Sequence, residues 1–121
     1  MDKQIKKATE EFVRILHSSE AMKQFQTAQE RFKNDSEIIK LRNEFNTLSR
    51  AVQQKQYSNE LTQEEIDRYK HAKNTLNSHP AVEQYTQSRQ EMIEILQSCN
   101  AGMSQILGFD FAGTAAPPAF C

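Results

Sequence analysis

No glycine occurs in the first 101 residues of this 121-residue chain; all three, Gly102, Gly108 and Gly113, come late. Backbone with positive φ, which hairpin turns, phosphate-binding loops and most active-site loops use, is cheap only for glycine. A glycine-free run of that length argues against dinucleotide-binding, P-loop, barrel and sandwich folds together. What is left is a chain made almost wholly of helix, and the expected fold class is all-α: about five helices in an elongated bundle. The length suits one domain and is too short for two.

Helical punctuation then divides the chain. Ile5, Ala8, Phe12, Ile15 and Leu16 recur at helical spacing over residues 3–17, one face wide. Ser18 and Ser19 offer an N-cap for a second helix over 20–33 carrying Met22, Phe25, Ala28 and Phe32, because a serine oxygen accepts from free first-turn amides. Asn34-Asp35-Ser36 breaks that helix and caps a third over 37–57, where Ile38, Leu41, Phe45, Leu48 and Val52 alternate steps of three and four. The seam is too short for a lone coiled coil and right for packing within a bundle. Thr62-Gln63-Glu64-Glu65 fits a capping box, Thr62 bonding forward to the Glu65 amide and Glu65 reaching back. Helix four follows to Leu76. Pro80 closes it off at His79 and suits the first position of a fifth helix. Val82, Tyr85, Met92, Leu96, Cys99, Met103 and Ile106 share one stripe of that helix, widened by Ile93 and Ile95. Gly102 costs about 1 kcal/mol against Ala in a helix interior; since the stripe runs through it, the helix weakens there without stopping.

Beyond Leu107 the period is lost. Residues 1–107 form the single helical domain, with Gly108 as a C-cap. Residues 108–121, with two glycines, two prolines and Phe109, Phe111 and Phe120, read as an extended irregular arm ending in Cys121.

Fifteen Lys and Arg against sixteen Asp and Glu leave a net charge of −1, so no global field points to direct nucleic-acid binding. The basic edges, Lys3, Lys6, Lys7 and Arg14 on helix one and Lys33, Lys40, Arg42 and Arg50 on helices two and three, are interleaved with acids and read as solvated faces. No apolar run is long enough to span a membrane, and the start lacks the apolar stretch of a signal peptide; the expected location is cytoplasmic. The apolar share, 37%, lies below the usual 45–50% of globular domains. Such a chain makes narrow stripes, which complete their burial against another subunit.

The run FVRILHSSEAMKQFQTAQERFKNDSEIIKLRNEF from Phe12 to Phe45 resembles the YlbF/YmcA family of small helical bacterial proteins. Gln53-Gln54-Lys55-Gln56 followed by Glu60 to Ile66 is similar to its YheA-like branch, and the match continues from Leu76-Asn77 through Tyr85, Glu91 and Met92 to Ile106-Leu107-Gly108. The resemblance covers residues 5 to 110. It implies a five-helix fold that assembles as dimers or higher oligomers, and a regulatory role without catalysis in competence, sporulation and biofilm formation. It also implies service to RNA processing in a complex whose iron–sulfur clusters are held by cysteine-rich C-terminal tails. Partners are then the chain itself, other family members or an RNA-processing enzyme. Here only Cys121 lies in a comparable place, and no cysteine cluster surrounds it.

The remaining candidates are sparse. Cys99 sits on the apolar stripe of helix five, where cysteine packs as a small hydrophobe; it is the second, weaker metal candidate after Cys121. His17, His71 and His79 have no His or Cys partner at helical ligand spacing. The acidic pairs Glu10-Glu11, Glu64-Glu65 and Glu91 with Glu94 fit helix surfaces and first turns, and no nucleophile stands near a base. No enzyme is expected and no resident cofactor; the alternative is an iron–sulfur or redox module in which several chains share Cys121. Ile38, Leu41, Phe45, Leu48, Val52, Met92, Leu96, Met103 and Ile106 are expected to form the core and the oligomer contact. Phe109, Phe111 and Phe120 are expected to dock, either back on the bundle or on a neighbour. A cluster shared through Cys121 predicts a brown, iron-containing protein on anaerobic purification, and a colourless, iron-free one rejects it.

Overall fold

The computed structural model describes residues 2–118. Six helices follow one another, α1 (Lys3–Ser18), α2 (Glu20–Asn34), α3 (Ser36–Ser58), α4 (Gln63–Asn77), α5 (Pro80–Leu107) and α6 (Phe111–Ala115), and there is no strand among the described residues. The expected caps explain most boundaries. Ser19 Oγ accepts from the Met22 amide at 3.2 Å, and Asp35 Oδ1 accepts from Glu37 and Ile38 at 2.9 and 3.2 Å. Thr62 Oγ1 accepts from the Glu65 amide at 3.3 Å and donates to the Glu65 carboxylate at 2.9 Å. Lys55 Nζ lies 2.8 Å from that carboxylate, and its charge, with the Thr62 hydroxyl, holds Glu65 below the usual carboxylate range. Among the described residues the positive φ angles belong to Asn59 (58°) and Gly108 (82°), the αL positions that end α3 and α5. Asparagine tolerates that conformation, so the chain turns at Asn59 without needing a glycine.

The helices form a long antiparallel hairpin about the Asn59 turn. The limb α2–α3 runs out and the limb α4–α5 runs back, with α3 packed on α4 and α2 on α5. A ladder of cross-contacts fixes the register. From the turn outward, Lys55 meets Glu65, Phe45 stacks on Tyr69 with centroids 5.3 Å apart, and Glu37 meets His79 at 3.3 Å. Beyond these, Phe32 stacks on Tyr85 at 4.6 Å, Arg31 donates to Gln84 at 3.2 Å, and Phe25 reaches the far side of Tyr85 at 5.8 Å. Both limbs break at the same level, α2–α3 at Asp35 and α4–α5 at Ser78-His79. Arg42 braces the first break from α3, its guanidinium 5.0 Å above the Phe32 ring on α2, a cation–π contact.

Two helices side by side share a single seam, so only side chains on that line can be enclosed. The buried apolar set is accordingly small: Ala28, Ile38, Ala81, Val82 and Met92, with Ile38 the large side chain fully excluded from solvent. Around it Phe32 of α2, Leu76 of α4 and Ala81 and Val82 of α5 pack together, so four helix ends converge on one isoleucine. Ser88, the buried polar residue, donates its hydroxyl to the Tyr85 carbonyl at 3.1 Å. The rest of the α3 stripe, Leu41, Phe45, Leu48 and Val52, is half-buried along the seam.

Two expectations change. The tail is not extended throughout: Phe111–Ala115 make a helical turn, for a reason given below. Cys99 is half-buried rather than a core thiol, and Leu96, Met103 and Ile106 are exposed, because α2 ends before it can cover that part of α5. Gly102 leaves α5 unbroken, as the continuous stripe implied. No helix among the described residues is long and apolar enough to cross a membrane.

Since Ile38 ties four helices together, Ile38→Ala is expected to cost about 2–5 kcal/mol. Leu41→Ala, half-buried one turn along the same helix, is expected to cost less than half as much. Urea denaturation followed by circular dichroism measures both, and equal losses would show that Ile38 is no keystone.

Candidate interaction surface

The seam explains where apolar surface is left over. α5 is 28 residues long and α2 only 15, so the C-terminal part of α5 overhangs the helix it pairs with. Its stripe, enclosed at Val82 and Met92, emerges as exposed Leu96, Met103, Ile106 and Leu107, with Ile106 88% accessible. α1 does not fill the gap. It packs chiefly on α2 and has no buried residue, leaving Ile5 (60%), Phe12, Val13 and Ile15 open on its apolar face. Among the described residues, ten of the twelve exposed large hydrophobic side chains belong to α1 or to the segment from Leu96 to Phe111. The surplus is therefore concentrated on α1 and on the stretch from the C-terminal part of α5 into the tail.

The hairpin as a whole is extended. Its accessible surface is 9593 Å², where a compact monomer of 14.0 kDa exposes about 6,700 Å². The excess, polar and apolar surface together, reflects a shape only one seam wide.

Phe109 and Phe111 remain 52% and 43% exposed, so the tail does not bury them on its own helices. It is nevertheless held. Asn100 and Ser104, one turn apart on α5, supply what a side-chain N-cap of α6 does not. Asn100 Oδ1 accepts from the Ala112 amide at 2.8 Å and Ser104 Oγ from the Phe111 amide at 2.8 Å. Asn100 Nδ2 donates to Asp110 Oδ1 at 3.1 Å. Gly113 completes the clamp, because a Cβ there would collide with the Asp110 carboxylate. The i, i+4 spacing of Asn100 and Ser104 was visible in the sequence, but nothing local said that the chain returns to them. Phe120 and Cys121 lie outside the described residues.

Elsewhere the polar groups have structural duties. Asp35, Glu37 and His79 bring three potential metal-ligand atoms within 4.8 Å of one another, a grouping hidden from sequence because His79 comes from the other limb. His79 Nδ1 accepts from the Ala81 amide at 3.1 Å, so in the neutral ring the proton sits on Nε2, which donates to Glu37 Oε2 at 3.3 Å. A metal takes the unprotonated nitrogen, and here that nitrogen is capping α5 while Asp35 Oδ1 caps α3. The grouping thus serves as a joint between the limbs. For an iron–sulfur cluster the described residues offer one thiol, Cys99, against the four ligands such clusters use, and they do not fit one. The basic edges are partly absorbed too, with Arg42 over the Phe32 ring. Arg14 pairs with Glu11, raising the arginine's pKa and lowering the carboxylate's. A shallow groove of about 530 Å³ runs between α3 and α4, lined by Leu41, Leu48 and Ala72 and by the charged Glu44, Glu64 and Asp67. Glu64 there is paired with Arg68 at 2.6 Å, and His71 lines the same groove.

The family model described as control of competence regulator ComK, YlbF/YmcA, matches residues 5–107. No curated protein and no solved structure matches significantly. For the clamp the expected result is specific: Asn100→Ala should speed hydrogen exchange at the Ala112 amide about fivefold or more, the loss of a bond worth roughly 1 kcal/mol or above. Exchange in α3 and α4 should not change, and unaltered protection at Ala112 would refute the clamp.

Proposed function

The chain belongs to the YlbF/YmcA family of competence-control regulators, and on that premise we propose that it is a non-catalytic oligomeric adaptor, regulating in the cytoplasm through protein contacts. The observation that carries this reading is the set of exposed large apolar side chains on α1 and the C-terminal part of α5, among them Ile5, Phe12, Leu96 and Ile106. Exposed apolar side chains grouped on few elements mark interaction surfaces. The polar groups support the same reading. Carboxylates that would do acid–base work are engaged in ion pairs and caps, as with Glu65 on Lys55 and Asp35 on α3. The α3/α4 groove, lined by Leu41, Leu48 and Ala72 together with the charged Glu44, Glu64, Asp67 and Arg68, has the chemistry to receive an amphipathic helix of a partner protein, such as another family member or an RNA-processing enzyme.

Light scattering coupled to size-exclusion chromatography tests the self-association at micromolar concentration. The expected mass is a multiple of 14.0 kDa, and a stable monomer would overturn the reading.

A further inference from the structure

We propose that the overhanging C-terminal half of α5 is a self-docking face. A second copy of this chain lays the same half of its own α5 across it about a two-fold axis. The proposal rests on the oligomeric reading above and adds which surface meets which.

Three independent observations point to a second copy over any other occupant. The first is charge. In a two-fold contact each residue near the axis faces its own counterpart, so any charge there meets a like charge. From Ile95 to Phe109 the chain carries no Asp, Glu, Lys or Arg, in a protein whose residues are 26% charged. A surface meant for a different protein would gain orientation and selectivity from charge; one meant for itself does best without it.

The second observation is Gly102. It sits mid-helix in α5, where glycine is the poorest helix former after proline. Its φ is not positive, and a Cβ placed on it would meet nothing within 4 Å. Nothing inside the chain therefore calls for glycine. At 100° per residue it lies on the edge of the exposed stripe, next to Cys99 and Ile106, where a missing side chain lets a second helix approach closely.

The third is continuity. The stripe that encloses Val82 and Met92 against α2 is the one that emerges at Leu96, Met103 and Ile106. A second copy would prolong a seam that α2 starts and leaves unfinished. The clamp on Asn100 and Ser104 keeps Phe109 and Phe111 beside this face, at its margin.

Sedimentation of the full-length chain, wild type and Gly102→Gln, tests the arrangement. Glutamine is a better helix former than glycine, so a chain that uses this face only as solvent-exposed helix gains helicity and keeps its assembly. The proposal expects the reverse for assembly: a dissociation constant raised about tenfold or more through lost close packing, with circular dichroism showing helix content retained. Tyr57→Ser, at the far tip where the side chain is 94% exposed, should leave the constant unchanged. A photoreactive benzoylphenylalanine at position 106, in a mixture of light and nitrogen-15 chains, reads the contact directly. Cross-links between unlike chains within α5 support the proposal. A wild type that is monomeric overturns both this and the oligomeric reading. An oligomer that survives Gly102→Gln, or that cross-links into α3 and α4, overturns only the face named here.

Discussion

The enclosure of Ile38 is the contact on which the rest of the structure depends. Phe32, Leu76, Ala81 and Val82 reach it from the other three helices of the hairpin, so both helix breaks fall at the same level and the two limbs stay in register. Asp35 and His79 cap the helices leaving this node, and Glu37 joins them. The polar joint thus directs the limbs around the apolar point that holds them. Because the hairpin is one seam wide, little else is fully enclosed. Its surplus apolar surface is a consequence of this architecture.

Much of the fold could be read from the residues because it is set locally. Ser19, Asp35, Thr62 and Gly108 mark helix ends through bonds made within three or four positions, and Pro80 through its fixed φ at a first helical position; such features leave their signature in adjacent letters. The α3 stripe and the unbroken passage of α5 through Gly102 were equally legible from helical period. What stayed hidden involved return of the chain: His79 capping α5 while bonding Glu37, and Asn100 and Ser104 receiving the amides of α6. Each residue has an ordinary local reading, and its second role exists only once the limbs or the tail have come back. The expectation of an extended tail failed for the same reason. Phe111–Ala115 are helical because α5 supplies the acceptors, and no residue of the tail itself announces it.

The regulatory family and the geometry agree in kind. The chain has grooves open to solvent and a bared helix end, and several of its carboxylates, with His79, are engaged in caps, pairs and the interlimb joint. In the adaptor proposed above, specificity would reside in which helices lie against which, and a change of one small side chain at a helix crossing would redirect partners without disturbing the fold.

The placement of the turn at Asn59 also has a kinetic side. The ladder of contacts widens steadily from that turn, from Lys55 with Glu65 beside it to pairs separated by 42 residues at Glu37–His79 and 53 at Arg31–Gln84. Loop-closure entropy grows with separation, so the hairpin zips most cheaply from Asn59 outward, each rung shortening the loop that the next must close. The bare end of α5 lies beyond the last rung, so closing the zipper leaves Leu96, Met103 and Ile106 uncovered.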